Sequence, residues 1–251
     1  DIDGIVRLCA ENKLFDALTY VFNNGIMEYA EPIKYIIREL KEASDKHIAE
    51  QSDTSFEKMT AEYFRKKLFS YFSKIMGQVN GTAKTGDDRS PHRQILNLLF
   101  TKDKEYGFYP LIVLLETDGE EVFRVLSSVY RTALDGSVDK TGDLSGCLKV
   151  LEQVIVDEKG KCLLGGDGSS MEKAKKYIFL GKHFSMFISN VYSRGYHAAI
   201  EVRYLVDSLV DLSTNNMGAK VDTMLHVKCE DAIMAILKTY RDCEGAREPC
   251  L

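Results

Sequence analysis

The chain has 251 residues, 45% of them hydrophobic and 28% charged, which is enough apolar material for one large core or two smaller ones. A formal net charge of -5 leaves nucleic acid without an electrostatic footprint at the whole-chain level. No apolar run approaches the roughly 18 residues that a membrane-spanning helix needs.

Most long segments carry apolar residues at helical spacing. Ile2, Ile5, Val6 and Cys9 share one face of a short first helix. Leu14, Leu18, Val21 and Phe22 repeat the pattern in LCAENKLFDALTYVFNNGIMEYAEPI, which runs from Leu8 to Ile33. Asn24-Gly25 reads as the stop of that second helix, with Gly25 in the left-handed position that a Cβ penalises. Pro32 suits the first turn of the next helix, followed by Ile33, Ile36, Ile37 and Leu40.

The spacing then predicts a helix from about Ser55 to Met76, with a stripe of Phe64, Leu68, Tyr71, Phe72, Ile75 and Met76. A polar loop covers 78–90. HRQILNLLF and FYPLIVLLE are shorter apolar runs, the second opened by Pro110, and EEVFRVLSSVYRTAL is helical by Val122, Leu126, Val129 and Tyr130. After a loop at 135–143 comes LSGCLKVLEQVIV, helical by Leu144, Leu148, Leu151 and Ile155. A glycine-rich loop at 158–170 follows, and VIVDEKGKCLL also admits a small hairpin around Lys159-Gly160. Three longer helices close the chain, over Met171–Tyr192, Ala198–Leu212 and Val221–Tyr240.

Roughly ten helices without βα alternation give an all-α class. Helix–turn–helix units recurring at roughly 30–45 residues predict an α-solenoid of stacked antiparallel pairs, a clathrin-heavy-chain-repeat-like or TPR-like superhelix. Residues 1–251 are expected to be one such segment. The chain opens on Asp1 without a signal peptide, so it reads as a piece of something larger.

Little in the sequence suggests catalysis. Gly81–Asp88 has the GxxxxG half of a phosphate loop, but Asp87 and Asp88 stand where Lys and Ser or Thr should, and would repel a phosphate. The glycines of Gly165–Ser170 could cradle an anion, and an all-α enzyme would use this loop. The competing role is helix capping by Ser169 or Ser170. His226 and Cys229 stand at i and i+3 but leave a metal two ligands short. The six cysteines form no CxxC pair and read as reduced, cytosolic thiols filling core. No catalytic, cofactor-binding or metal-binding residue is assigned, and no cofactor is expected. The basic, aromatic stretch Tyr63–Met76, with Arg65, Lys66, Lys67 and Lys74, is read first as a core helix; lying on a partner or an anionic membrane is the alternative.

The opening stretch also resembles the vacuolar protein sorting-associated protein 8 family, in the helical region after its β-propeller. The matching pattern is Leu8-Cys9, then Leu14, Phe15, Asp16, Ala17 and Leu18, then Tyr20, Val21 and Phe22, closing on Asn23, Gly25, Met27, Tyr29 and Pro32. A second likeness lies in Phe108–Arg131, with its Tyr-Pro, Leu-Leu, acid and Phe–Val–Leu helix. Beyond about Leu144 the likeness is one of helix spacing alone. The resemblance implies a non-catalytic scaffold in an endosomal tethering complex, CORVET, acting in vesicle-mediated protein transport. It implies other tethering subunits as partners, an early-endosomal Rab GTPase reached through the full-length protein, and peripheral association with endosomal membranes through partners. A different trafficking solenoid, clathrin-heavy-chain-like or a sister fusion-complex subunit, is the competing reading. In either, Leu14, Leu18, Phe22, Gly25, Pro32 and Pro110 would be structural.

Overall fold

The computed structural model describes residues 1–50, 55–77, 90–102, 110–131, 141–156, 170–194, 202–214 and 222–245. Among these the regular elements are all helical. In chain order they are α1 (Ile2–Glu11), α2 (Phe15–Tyr20) running into a π-helical turn (Val21–Ile26), α3 (Glu31–Glu50), α4 (Ser55–Gly77), α5 (Pro91–Phe100) and α6 (Pro110–Arg131). Then come α7 (Thr141–Ile155), α8 (Ser170–Tyr192), α9 (Val202–Thr214) and α10 (Thr223–Gly245). The chain divides into two compact units, Asp1–Thr117 and Asp118–Leu251. The division falls inside α6, where Asp118 leaves the helical region (φ -161°, ψ 85°) and its carboxylate accepts from the Glu121 N–H to start the helix again.

The first unit is organised around α4. Phe64, Leu68, Tyr71, Phe72, Ile75 and Met76 are all buried, so the predicted stripe is core. Ile33, Ile36 and Ile37 of α3 and Ile95, Leu96 and Leu99 of α5 are buried too. Pro32 stands in the first turn of α3 and Pro110 opens α6, both buried, where the missing N–H removes no helical bond. The Tyr35 hydroxyl donates to the Ala10 carbonyl at 2.9 Å and ties α1 to α3.

Two expectations fail in this unit, at Leu14 and at Gly25, and the first helix shows how little spacing says about burial. The apolar face of α1 is mostly open: Ile2 is 45% and Ile5 49% exposed, and Cys9 alone of the four is buried. Spacing says which residues share a face, not what covers it. Leu14 is not part of the core stripe but the residue before α2, 51% exposed, and Phe15 fills the position beside Leu18 instead; Phe22 is half-buried. Nor does the helix stop on a left-handed Gly25. Its bonding widens to a π turn through Gly25, and the left-handed residue is Met27 (φ 63°, ψ 33°), whose N–H donates to the Phe22 carbonyl. Tertiary bonds explain this choice. Gln94 of α5 donates to the Met27 carbonyl at 3.0 Å and accepts from the Tyr29 N–H at 2.8 Å. Those bonds offset the cost, of order 1–2 kcal/mol, of a left-handed residue that carries a Cβ.

In the second unit, Phe187 of α8 packs against Phe123 and Tyr130 of α6, with ring centroids 6.0 and 5.9 Å apart. Lys182 meets Asp222 at 3.0 Å, Ser185 meets Cys229 at 3.3 Å, and the Thr239 hydroxyl donates to the Tyr192 carbonyl at 2.8 Å. These contacts advance together along α8 and α10, so the two helices run parallel. α9 packs against α10 as well, and its Leu212 lies beside Gly181 of α8. Parallel stacking of two helices joined through a third is the arrangement of an α-solenoid. A Cβ on Gly181 would lie 3.1 Å from Leu212 of α9 and 3.2 Å from Leu225 of α10, so a glycine is what lets α8 approach both. The fold class is all-α, of the solenoid type.

α7 begins at Thr141, so Thr141–Asp143, read as the end of a loop, are helical. Val154 and Ile155 end α7 and Val156 follows in a turn, which removes the first strand of the alternative hairpin. The rest of that hairpin, the loop Gly81–Asp88, Gly165–Ser169 and Ala198–Glu201 lie outside the described residues.

Candidate functional site

In the first unit α2 with the π turn and α4 border a pocket of about 330 Å³, between Asp16, Thr19, Asn23 and Asn24 on one side and Lys67, Ser70, Tyr71 and Lys74 on the other. Phe15 and Tyr20 supply its apolar surface. The sequence places these groups locally. Asp16, Thr19 and Asn23 fall on successive turns of α2 and the π turn, as Lys67, Ser70 or Tyr71 and Lys74 do along α4. A π turn widens the helix by one residue and re-aims the side chains after it.

Lys67 forms an ion pair with Asp16, with oxygens at 2.6 and 2.8 Å, and this hydrogen bond raises the lysine's pKa. The Asp16 side chain is still 76% exposed. Tyr71 Oη lies 2.8 Å from Asn23 Oδ1 and 3.0 Å from the Tyr29 carbonyl, either of which can accept its proton. Burial raises the tyrosine's pKa well above the ordinary value, so it stays a neutral donor. Phe15 meets the Tyr71 ring edge-on at 6.2 Å. Asn24 turns its amide N–H back to the Tyr20 carbonyl at 3.1 Å. The Thr19 hydroxyl is closed off from solvent and has no partner among the described residues.

The four basic residues singled out in the sequence are split by this arrangement. Arg65 and Lys66 both reach Glu62 on their own helix, at 3.2 and 3.5 Å. Lys67 and Lys74 line the pocket. Sequence reading missed Asp16, Thr19 and Asn23 as their neighbours, because the approach of α2 to α4 is a tertiary fact with no signal in spacing.

His226 and Cys229 do not form a site together. The imidazole lies 3.3 Å from Glu230, while Cys229 is buried against Ser185. No cluster of three or more potential metal ligands occurs among the described residues. Burial raises the thiol pKa of Cys147 and Cys229, and Cys9, Cys147 and Cys229 are free and buried. No helix among the described residues is long and apolar enough to cross a membrane.

Comparison with known protein families matches residues 1–130 to the one described as Vps8 central TPR. Comparisons with curated proteins and with solved structures each return no match. The matched span contains α1 to α5 and nearly all of α6, including both walls of the pocket. It covers more than half of the 251 residues, and the chain belongs to the family of the Vps8 central TPR.

Proposed function

We propose that this chain is a non-catalytic scaffold segment of a membrane-tethering complex of the CORVET type, working in vesicle-mediated transport and endosome fusion through protein–protein contacts. The observation that carries this reading is the family match over residues 1–130. Stacked helices provide extended surface, and such surface is what repeat proteins use to hold partners. The partners proposed are other tethering subunits, with an early-endosomal Rab GTPase engaged by the full-length protein. In a cell this places the chain in the cytoplasm, peripherally on endosomal membranes.

The test is affinity purification of the full-length protein carrying this segment, with subunits identified by mass spectrometry. CORVET subunits are expected with the wild-type segment and are expected to be lost with Leu18→Asp, which puts a carboxylate into the core. Recovery of clathrin or of the sister fusion complex alone would overturn the assignment.

A further inference from the structure

The pocket between the π turn and α4 is rich in hydrogen-bond donors that the fold leaves unused. The Lys74 ammonium, the Asn23 side-chain N–H groups and the Ser70 hydroxyl have no partner among the described residues. Asn23 is already oriented, because its oxygen lies 2.8 Å from the Tyr71 hydroxyl. Its amide nitrogen is therefore the end left for a ligand. An amide and a hydroxyl beside one cation match a carboxylate, which accepts through two oxygens.

We infer that this pocket receives the side-chain carboxylate of an aspartate or glutamate from a partner protein. Charge decides against a phosphate or an anionic membrane. Asp16 sits on the same rim and already shares Lys67. A second carboxylate is accommodated by Lys74, but a phosphate dianion would double the repulsion from Asp16. Arg65 and Lys66 engage Glu62 and do not extend the pocket into a wide basic face. Tyr20, 70% exposed at the rim, offers its ring to a residue flanking the acid, the role tyrosine commonly plays at interfaces. That the ligand is part of a protein rests on the scaffold reading above; the donor geometry does not.

The experiment titrates the intact 251-residue chain with acetyl-Leu-Asp-Leu-amide and follows the Asn23 side-chain amide and Thr19 by NMR. The asparagine counterpart, the same asparagine peptide with a free C-terminal carboxylate, and vesicles of equimolar phosphatidylserine and phosphatidylcholine serve as competitors. The aspartyl peptide is expected to shift Asn23 and Thr19 and to bind about tenfold more tightly than its asparagine counterpart. Lys74→Gln, an exposed change, should remove that preference while the helical circular dichroism is kept. Equal binding of the two peptides, shifts confined to other residues, or binding of only the free-carboxylate peptide or the vesicles would each overturn the inference. If the peptide fails while wild-type protein still brings down its subunits, this inference alone falls. If the peptide binds and no subunits come down, the scaffold reading falls and the carboxylate site stands.

Discussion

At the turn after α2, two neighbouring residues exchange the roles that their chemistry suggests. Gly25 lies in a right-handed π turn with open space where a Cβ would be, whereas Met27 carries the positive φ. A β-branched residue at 27 should therefore cost about 1–2 kcal/mol more than one at 25. Denaturant melts of Gly25→Val and Met27→Val measure this, and a larger loss at Gly25 would contradict the geometry. A second residue-scale feature is Glu152, a buried carboxylate of α7. It accepts from the Tyr204 hydroxyl at 2.6 Å and the Ser208 hydroxyl at 3.1 Å. Removing a donor leaves a buried acceptor oxygen unsatisfied, so Tyr204→Phe should lower stability by about 1–3 kcal/mol. Unchanged urea midpoints would show that water replaces the hydroxyl.

Between helices, the spacing of α8 from α9 and α10 depends on Gly181. A valine there would press on Leu212 and Leu225, and overpacking of this kind costs about 1–3 kcal/mol. Gly77, with nothing within 4 Å of a Cβ, is the control: Gly77→Val should be much milder in the same melts. The start of α10 gives a pH dependence. Asp222 accepts from the Leu225 N–H at 2.8 Å and pairs with Lys182, and these interactions, the backbone bond foremost, lower its pKa below 3.8. A carboxylate with a depressed folded pKa contributes stability above its unfolded value, and that contribution is lost as pH falls through the folded one. Acid titration of stability should thus be steeper below about pH 4 in the wild type than in Asp222→Asn, which can still cap the helix. Parallel acid limbs for the two proteins would remove this group from the account.

Taken whole, the chain places apolar residues at helical intervals in both of its compact units, and each unit holds a core of its own. The far-UV circular dichroism spectrum of the full chain should be strongly helical, with minima near those of helix and little sheet contribution. A strand-dominated spectrum would contradict both the fold and the family.

The sequence by itself determined the elements. The stripe in α4, the prolines opening α3 and α6 and the long helices of the last third could be read because a helix periodicity of 3.6 residues is local. The same stretch from Leu8 to Pro32 carried the family resemblance. Only the tertiary structure decided what each face meets. It left Ile2, Ile5 and Leu14 open, because covering a face requires a neighbour that spacing does not name. It moved the left-handed residue from Gly25 to Met27, because Gln94, distant in sequence, holds the backbone there through two hydrogen bonds. It also divided the four cations of one helix, giving Arg65 and Lys66 to Glu62 and bringing Lys67 and Lys74 to a pocket with Asp16 and Asn23. Ion pairs and hydrogen bonds act over a few ångströms in space, whatever the separation along the chain, so these partners emerge only once the helices pack.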